Sequence, residues 1–351
     1  MTYSASAIYA ESVFKTPFYF LKRHVLYAVI GTVMLFFTAG LNPYLWKEHV
    51  GKILIISFIL LALVLVPFIG HEAGGARRWL RIGLISFQPV EISKLAICLY
   101  LSDYLSRRIK GIQRGEFSVL LPPVLILGAT WGLILLEPDL GSSIFLFLIA
   151  ASLFFLAGIR FRYVGLASLF FLPAFYFLVV RVPYRLSRMT AFLNPWNDPR
   201  GSGFQIIQSF LAFGMGGLKG VGLGESTQKL FYLPQSYNDF IFSIIAEELG
   251  LIGSLSLIIL YGVIFFSGLK MAKRMPGNYE KLLTLSLILL IVLQAIINML
   301  VATGLIPTKG LPLPFVSYGG SSLVFNLTAV GLLLAMDRVA LRGRSSVGIR
   351  R

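Results

Sequence analysis

Apolar residues come in long, nearly unbroken runs along this chain, and the polar residues gather between them. Runs of about 18–25 residues are what an α-helix needs to cross a hydrocarbon layer about 30 Å thick. They predict complete spans near 25–41, 51–70, 89–106, 118–136, 140–158, 162–181, 240–269, 282–302 and 320–337. Residues 1–13 read as the outer end of one further helix whose first half is missing, because the chain opens at Met1-Thr2-Tyr3-Ser4-Ala5-Ser6. No positively charged stretch precedes an apolar core there, so a signal peptide is not expected. The pattern thus predicts an all-α polytopic membrane protein of about ten helices, the first truncated, with one large polar loop over 182–239. Residues 1–340 read as a single transmembrane domain, and 341–351 as a basic tail.

Composition agrees: the chain is 57% hydrophobic and 13% charged, with a mean hydropathy of +0.82. A soluble globule carries roughly a quarter charged residues. Lys and Arg in the connections set the orientation. Seventeen of them fall near 47–52, 107–114, 160–162, 270–281 and in the tail 338–351, which marks those segments as cytoplasmic. The short loops on the opposite face carry only Lys15, Lys22, Arg23, Arg77, Arg78, Arg81 and Lys309. The 71–88, 182–239 and 303–319 connections are therefore predicted outside. Much of the net charge of +16 is topological, spread over several turns rather than one basic face, and nucleic acid is a poor partner. Cys98 is the only cysteine, and His24, His49 and His71 stand far apart, so no disulfide and no histidine or cysteine metal motif is expected.

Four polar clusters need explaining, all on the predicted outer side. In the first, Ala76-Arg77-Arg78-Trp79 precedes Gln88-Pro89-Val90-Glu91-Ile92-Ser93-Lys94. Pro89 suits a first helical turn, and Glu91 and Lys94 are then i,i+3 neighbours. Lys94 either snorkels or pairs inside a polar cavity, since ionisable groups in a membrane are costly. In the second, Glu137-Pro138-Asp139-Leu140-Gly141-Ser142, Asp139 or Ser142 can cap the following helix. In the third, Asp239 directly precedes the apolar run 240–246, where it is either a cap or a surface base held between helix dipole and burial. Glu247 and Glu248, further in, must find partners or take up a proton. The fourth runs from Pro307 to Ser322: a stiff, proline-rich loop with Lys309 as its one charge and Ser321 or Ser322 as a cap for the last helix. The glycine string 214–224 lacks the strand-then-helix setting of a nucleotide loop, although its amides could hold an anion.

These clusters, in this order, resemble the SEDS family of membrane proteins (shape, elongation, division and sporulation). The matching pieces are Tyr3-Ser4-Ala5-Ser6, Ala76-Arg77-Arg78-Trp79, Gln88-Pro89 with Glu91 and Lys94, and Glu137-Pro138-Asp139. They continue through Asp198-Pro199, Gly201-Ser202-Gly203-Phe204-Gln205, Gln208-Ser209, Leu233-Pro234, Asp239-Phe240-Ile241-Phe242, Glu247-Glu248-Leu249-Gly250 and Gly310 to Ser322. The stretch Gly222 to Pro234 is similar to the division branch more than the elongation branch. Val90, where members usually carry a small residue, and Tyr237-Asn238, where they usually carry His-Thr, depart from the pattern.

The resemblance implies a peptidoglycan glycosyltransferase that joins lipid II units at the outer face of the cytoplasmic membrane and releases undecaprenyl diphosphate. It implies Asp239 as the base, Lys94 as its ion-pair partner and Glu91 beside Lys94. Arg77, Arg78 and Trp79 are implied at the rim, and Lys309, Ser317 and Ser321 are taken as further substrate contacts. A divalent cation, magnesium or manganese, is a further expectation for the departing diphosphate, with no ligand set visible. A class B penicillin-binding transpeptidase and other divisome membrane proteins are the implied partners. A lipid II flippase, an elongation-type polymerase and a scaffold that only holds a partner are the competing readings.

Overall fold

The computed structural model describes residues 1–348 apart from 74–75, 84, 161, 164, 166–168, 170–175, 177–180, 231–232, 234–235 and 309. Most of the predicted span 162–181, and Lys309, therefore lie outside the described residues. The chain is mostly helical. It forms two compact units: Met1–Val25, Phe161–Gly262 and Gln294–Gly319 make the first, and Leu26–Arg160, Val263–Leu293 and Gly320–Arg351 the second.

Among the described residues, five helices are long and apolar enough to cross a membrane: Tyr19–Gly40, Phe117–Leu136, Ile241–Ala272, Asn278–Ala302 and Gly320–Leu341. Their lipid-grade surfaces fit a multi-pass membrane protein, because a helix satisfies its own backbone inside hydrocarbon. Val50–Leu65 and Leu140–Leu156 are apolar but shorter than the spans predicted there. The first stops at Leu65 because Val66 precedes Pro67 and turns extended, the conformation a pre-proline residue prefers. Pro89–Arg107 begins at the predicted proline, which occupies the first helical position behind an extended Gln88.

In the second unit, the connection read as a plain loop is a three-stranded antiparallel sheet, β1 (Gly70–Ala73), β2 (Ala76–Ile82) and β3 (Ile85–Phe87), in that order. Only β2 is long enough to show an alternation: Ala76 and Leu80 are buried while Arg77 and Arg81 are exposed. The Tyr27 hydroxyl donates to the Ser86 carbonyl at 2.9 Å and accepts its N–H at 2.8 Å, which fastens β3 to the helix Tyr19–Gly40.

In the first unit, the predicted 182–239 loop holds two helices, Pro183–Leu193 and Phe204–Gly216, joined through a single 3-10 turn at Pro195–Asn197. The glycine string after them packs onto the helix Ile241–Ala272 where that helix breaks at Gly250 (φ 66°, ψ −163°). Val221 N–H donates to the Glu247 carbonyl at 3.0 Å and Gly222 N–H to that of Glu248 at 3.1 Å. In return, Leu251 N–H donates to Gly217 at 2.9 Å and Ile252 N–H to Leu218 at 3.2 Å. Side chains would prevent this approach: a methyl on Gly220 (φ 80°) would run into the Glu248 carbonyl, and one on Gly216 into that of Ala246. The amides of Gly220, Val221 and Gly222 thus serve carbonyls of the fold. The anion-binding expectation does not hold for them.

Candidate functional site

Asp239 lies in the turn that leads into the helix Ile241–Ala272, in the first unit. Three successive carbonyls there each accept a hydrogen bond from another segment. Tyr318 N–H donates to Tyr237 at 3.0 Å, the Ser317 hydroxyl to Asn238 at 2.6 Å, and Asn298 Nδ2 to Asp239 at 2.9 Å. The proline-rich loop that supplies Ser317 and Tyr318 is itself held by side chains. Asn298 Nδ2 donates to Leu311 at 2.8 Å, Gln294 Nε2 to Pro312 at 2.8 Å, and the Tyr261 hydroxyl to Pro314. At the start of this loop, a methyl built on Gly310 would stand 3.3 Å from Oδ2 of Asp239. The Tyr237 ring packs on Phe20 at 4.7 Å and on Tyr9 at 5.6 Å. Burial raises its pKa, and the charges of Tyr9, Tyr318 and Asp239 add to that, so it stays a neutral phenol.

The same unit answers the question posed by Glu247 and Glu248, both buried. Glu247 accepts from the Ser226 hydroxyl, and from the N–H and hydroxyl of Thr227 at 2.9 Å each. Glu248 Oε1 accepts from Lys229 Nζ at 3.0 Å and from the Ser4 hydroxyl at 2.5 Å. Lys229 also donates to Ser4 at 3.1 Å and to the Gly224 carbonyl.

The second unit holds the other predicted acid and base. Lys94 Nζ donates to Glu91 Oε1 at 2.8 Å, with side chains only 1% and 5% exposed, and lies 5.0 Å from the centre of the Phe145 ring. The partner the structure gives Lys94 is thus Glu91, one turn away. Arg78 reaches the connection 137–139, donating from Nε to the Glu137 carbonyl at 3.0 Å and from Nη2 to that of Pro138 at 2.5 Å. Glu137 is fully buried, and neither of its carboxylate oxygens has a hydrogen-bond partner among the described residues. Burial pushes its pKa up to about 8, with Asp139 adding to the rise and Arg78 opposing it. Asp139 is the cap expected of it, accepting from Ser142 N–H at 3.0 Å and from the Ser142 hydroxyl at 2.8 Å.

Of the predicted rim residues, Arg77 is half exposed, 3.8 Å from Glu72, and Trp79 stands opposite His71 in the sheet. Ser321 does not cap the last helix, which begins at Gly320; its hydroxyl accepts from Gln88 N–H at 3.0 Å and donates to the Ser86 carbonyl at 3.2 Å. Among the described residues no group of three or more His, Cys, Asp or Glu gathers. The buried acids Glu91 and Glu248 already face lysines. These side chains do not form a set for the magnesium or manganese expected from the sequence.

Sequence reasoning missed Lys229 and Asn298. The two buried acids demanded a cation, and Lys229 is one of the basic residues of the long connection that precedes them. Asn298 and Gln294, four residues apart in the apolar second half of the helix Asn278–Ala302, share one face; polar residues at such depth need partners.

The family model FTSW_RODA_SPOVE, described as cell cycle protein, matches residues 1–341. Stage V sporulation protein E of Bacillus subtilis strain 168 is 42% identical over 341 residues, 96% of this chain and 92% of that protein. A Coxiella burnetii protein named "Probable peptidoglycan glycosyltransferase FtsW" is 42% identical over 338 residues, 95% of this chain and 90% of its own length. Among solved structures, a chain from work on structural coordination of polymerization and crosslinking by a peptidoglycan synthase complex has a TM-score of 0.77 at 30% identity, covering 97% of this chain and 95% of its own. The rod shape determining protein RodA of Thermus thermophilus gives 0.68 at 28%, covering 96% and 93%.

Proposed function

The chain belongs to the FtsW/RodA/SpoVE family of cell cycle proteins, and from that premise we propose that it is a division-type peptidoglycan glycosyltransferase. It polymerises lipid II into glycan strands at the outer face of the cytoplasmic membrane. The observation that carries this reading is the likeness, over 95% of the chain, to a relative named for that activity.

In the proposed reaction Asp239 takes the proton of the acceptor sugar hydroxyl as that oxygen bonds to the anomeric carbon of the donor. The bond from that carbon to the diphosphate oxygen breaks, and its electron pair leaves with undecaprenyl diphosphate. Asp239 must be ionised to act, and it lies in the turn just ahead of the helix Ile241–Ala272. A positioned base of this kind contributes about 10²–10⁴-fold. Lys94, paired with Glu91, is the proposed source of positive charge for the diphosphate, and Arg77, Arg78, Trp79, Lys309, Ser317 and Ser321 are the proposed contacts to the rest of the substrate. A divalent cation enters only as a counter-ion that the diphosphate substrate brings with it.

The proposed partner is a class B penicillin-binding transpeptidase, a reading supported by the likeness to a chain of the solved synthase complex, with other divisome membrane proteins around the pair. The test is purified protein in detergent with fluorescent lipid II, with and without that transpeptidase. Detergent micelles have no leaflets, so a polymer ladder on a gel supports the enzyme. Absence of polymer together with lipid II translocation in vesicles would establish the flippase instead.

A further inference from the structure

We propose that Asn298 is a positioning residue for the reaction, fixing the Asp239 carboxylate against the proline-rich loop. The inference rests on the reading of Asp239 as the base. Asn298 is the side chain that donates both to the carbonyl of Asp239 (2.9 Å) and to that of Leu311 (2.8 Å). One rigid amide therefore sets the separation between the residue bearing the carboxylate and the loop whose Gly310 abuts Oδ2. Its orientation is determined, because a flipped amide would turn its oxygen toward two carbonyl oxygens. Asn298 is 1% exposed, and Gln294, one turn earlier on the same helix, holds the next carbonyl of the loop. The Ser317 hydroxyl and Tyr318 N–H hold the two carbonyls before Asp239, so the backbone entering the helix is fixed at three consecutive peptides. A donor of this kind binds no substrate. It limits the torsions that would swing the carboxylate away from the acceptor hydroxyl, and a displacement of about 1 Å can cost about 10²-fold in rate.

The decisive variant is Asn298→Leu, which keeps the side-chain size and removes both donors. In monodisperse, detergent-purified protein it is expected to lower kcat for lipid II polymerisation by about 10–100-fold with KM within about twofold of wild type. A general packing defect would instead lower the yield of folded protein and move KM as well. If Asn298→Leu does not fold, Asn298→Ala, which removes the same two donors without introducing a branched apolar side chain, is expected to lower kcat severalfold with KM within about twofold of wild type. Wild-type kcat in the folded variant that decides the test, or a loss confined to KM, overturns the proposal. Asp239→Asn separates the two readings: polymer from that variant removes the base, whereas an inactive Asp239→Asn beside a fully active Asn298→Leu removes only the positioning role.

Discussion

The two units bury their acids in different ways. In the second, Glu91 meets Lys94 one turn along the same helix, so the pair orders little beyond the start of Pro89–Arg107. In the first, Glu247 and Glu248 are served by Ser226, Thr227 and Lys229, some twenty residues earlier, and by Ser4, 244 residues away. Those bonds tie the N-terminal helix, the glycine-rich connection and the broken helix into one body. Local pairing stabilises an element, and distant pairing builds the unit that carries Asp239.

The most severe way to break the long-range arrangement is Gly220→Ala. The added methyl meets the Glu248 carbonyl in a left-handed backbone, so the expected outcome is loss of folded protein after purification, seen as aggregation on gel filtration. Next comes Lys229→Met, which leaves Glu248 buried without its cation and should cost about 3–5 kcal/mol, read from thermal unfolding in detergent. Lys94→Met sharpens the contrast. Glu91 stays in the first turn of its helix, where the dipole stabilises a carboxylate, so this loss should be smaller by about 0.3–1 kcal/mol. An effect that shows as pH dependence is expected at Glu137, whose pKa stands at about 8 in the folded chain against an ordinary 4.5. Between those values the folded state holds a proton that the unfolded state has released. The stability that Glu137 contributes is therefore fullest below about pH 4.5, falls as pH rises and is lost above about pH 8. Glu137→Gln should flatten that slope in a series of melting temperatures from pH 5 to 9.

The same contrast explains what could be read in the chain beforehand. Glu91–Lys94, the Pro89 helix start and the Asp139 cap follow from spacings of three or four residues, which local sequence displays. Ser4 and Lys229 as partners of Glu248 were not legible, because only the folded chain brings residues 4, 229 and 248 together. The break at Gly250 was hidden by an apolar run that continues through it, so 240–269 read as one span. The sheet at 70–87 was obscured by its length, since β3 has only three residues to show a period of two. Asp239 was visible as an acid ahead of an apolar helix; the bonds that fix its backbone come from residues 298, 317 and 318 and needed the fold.

The most direct test of the central claim is the initial rate of lipid II polymerisation by Asp239→Asn beside wild type, both monodisperse and assayed with the cognate transpeptidase. The substitution keeps the shape and removes the base. A rate reduced by at least about 10²-fold with unchanged lipid II binding is the expected result. A wild-type rate from the folded variant would contradict the account.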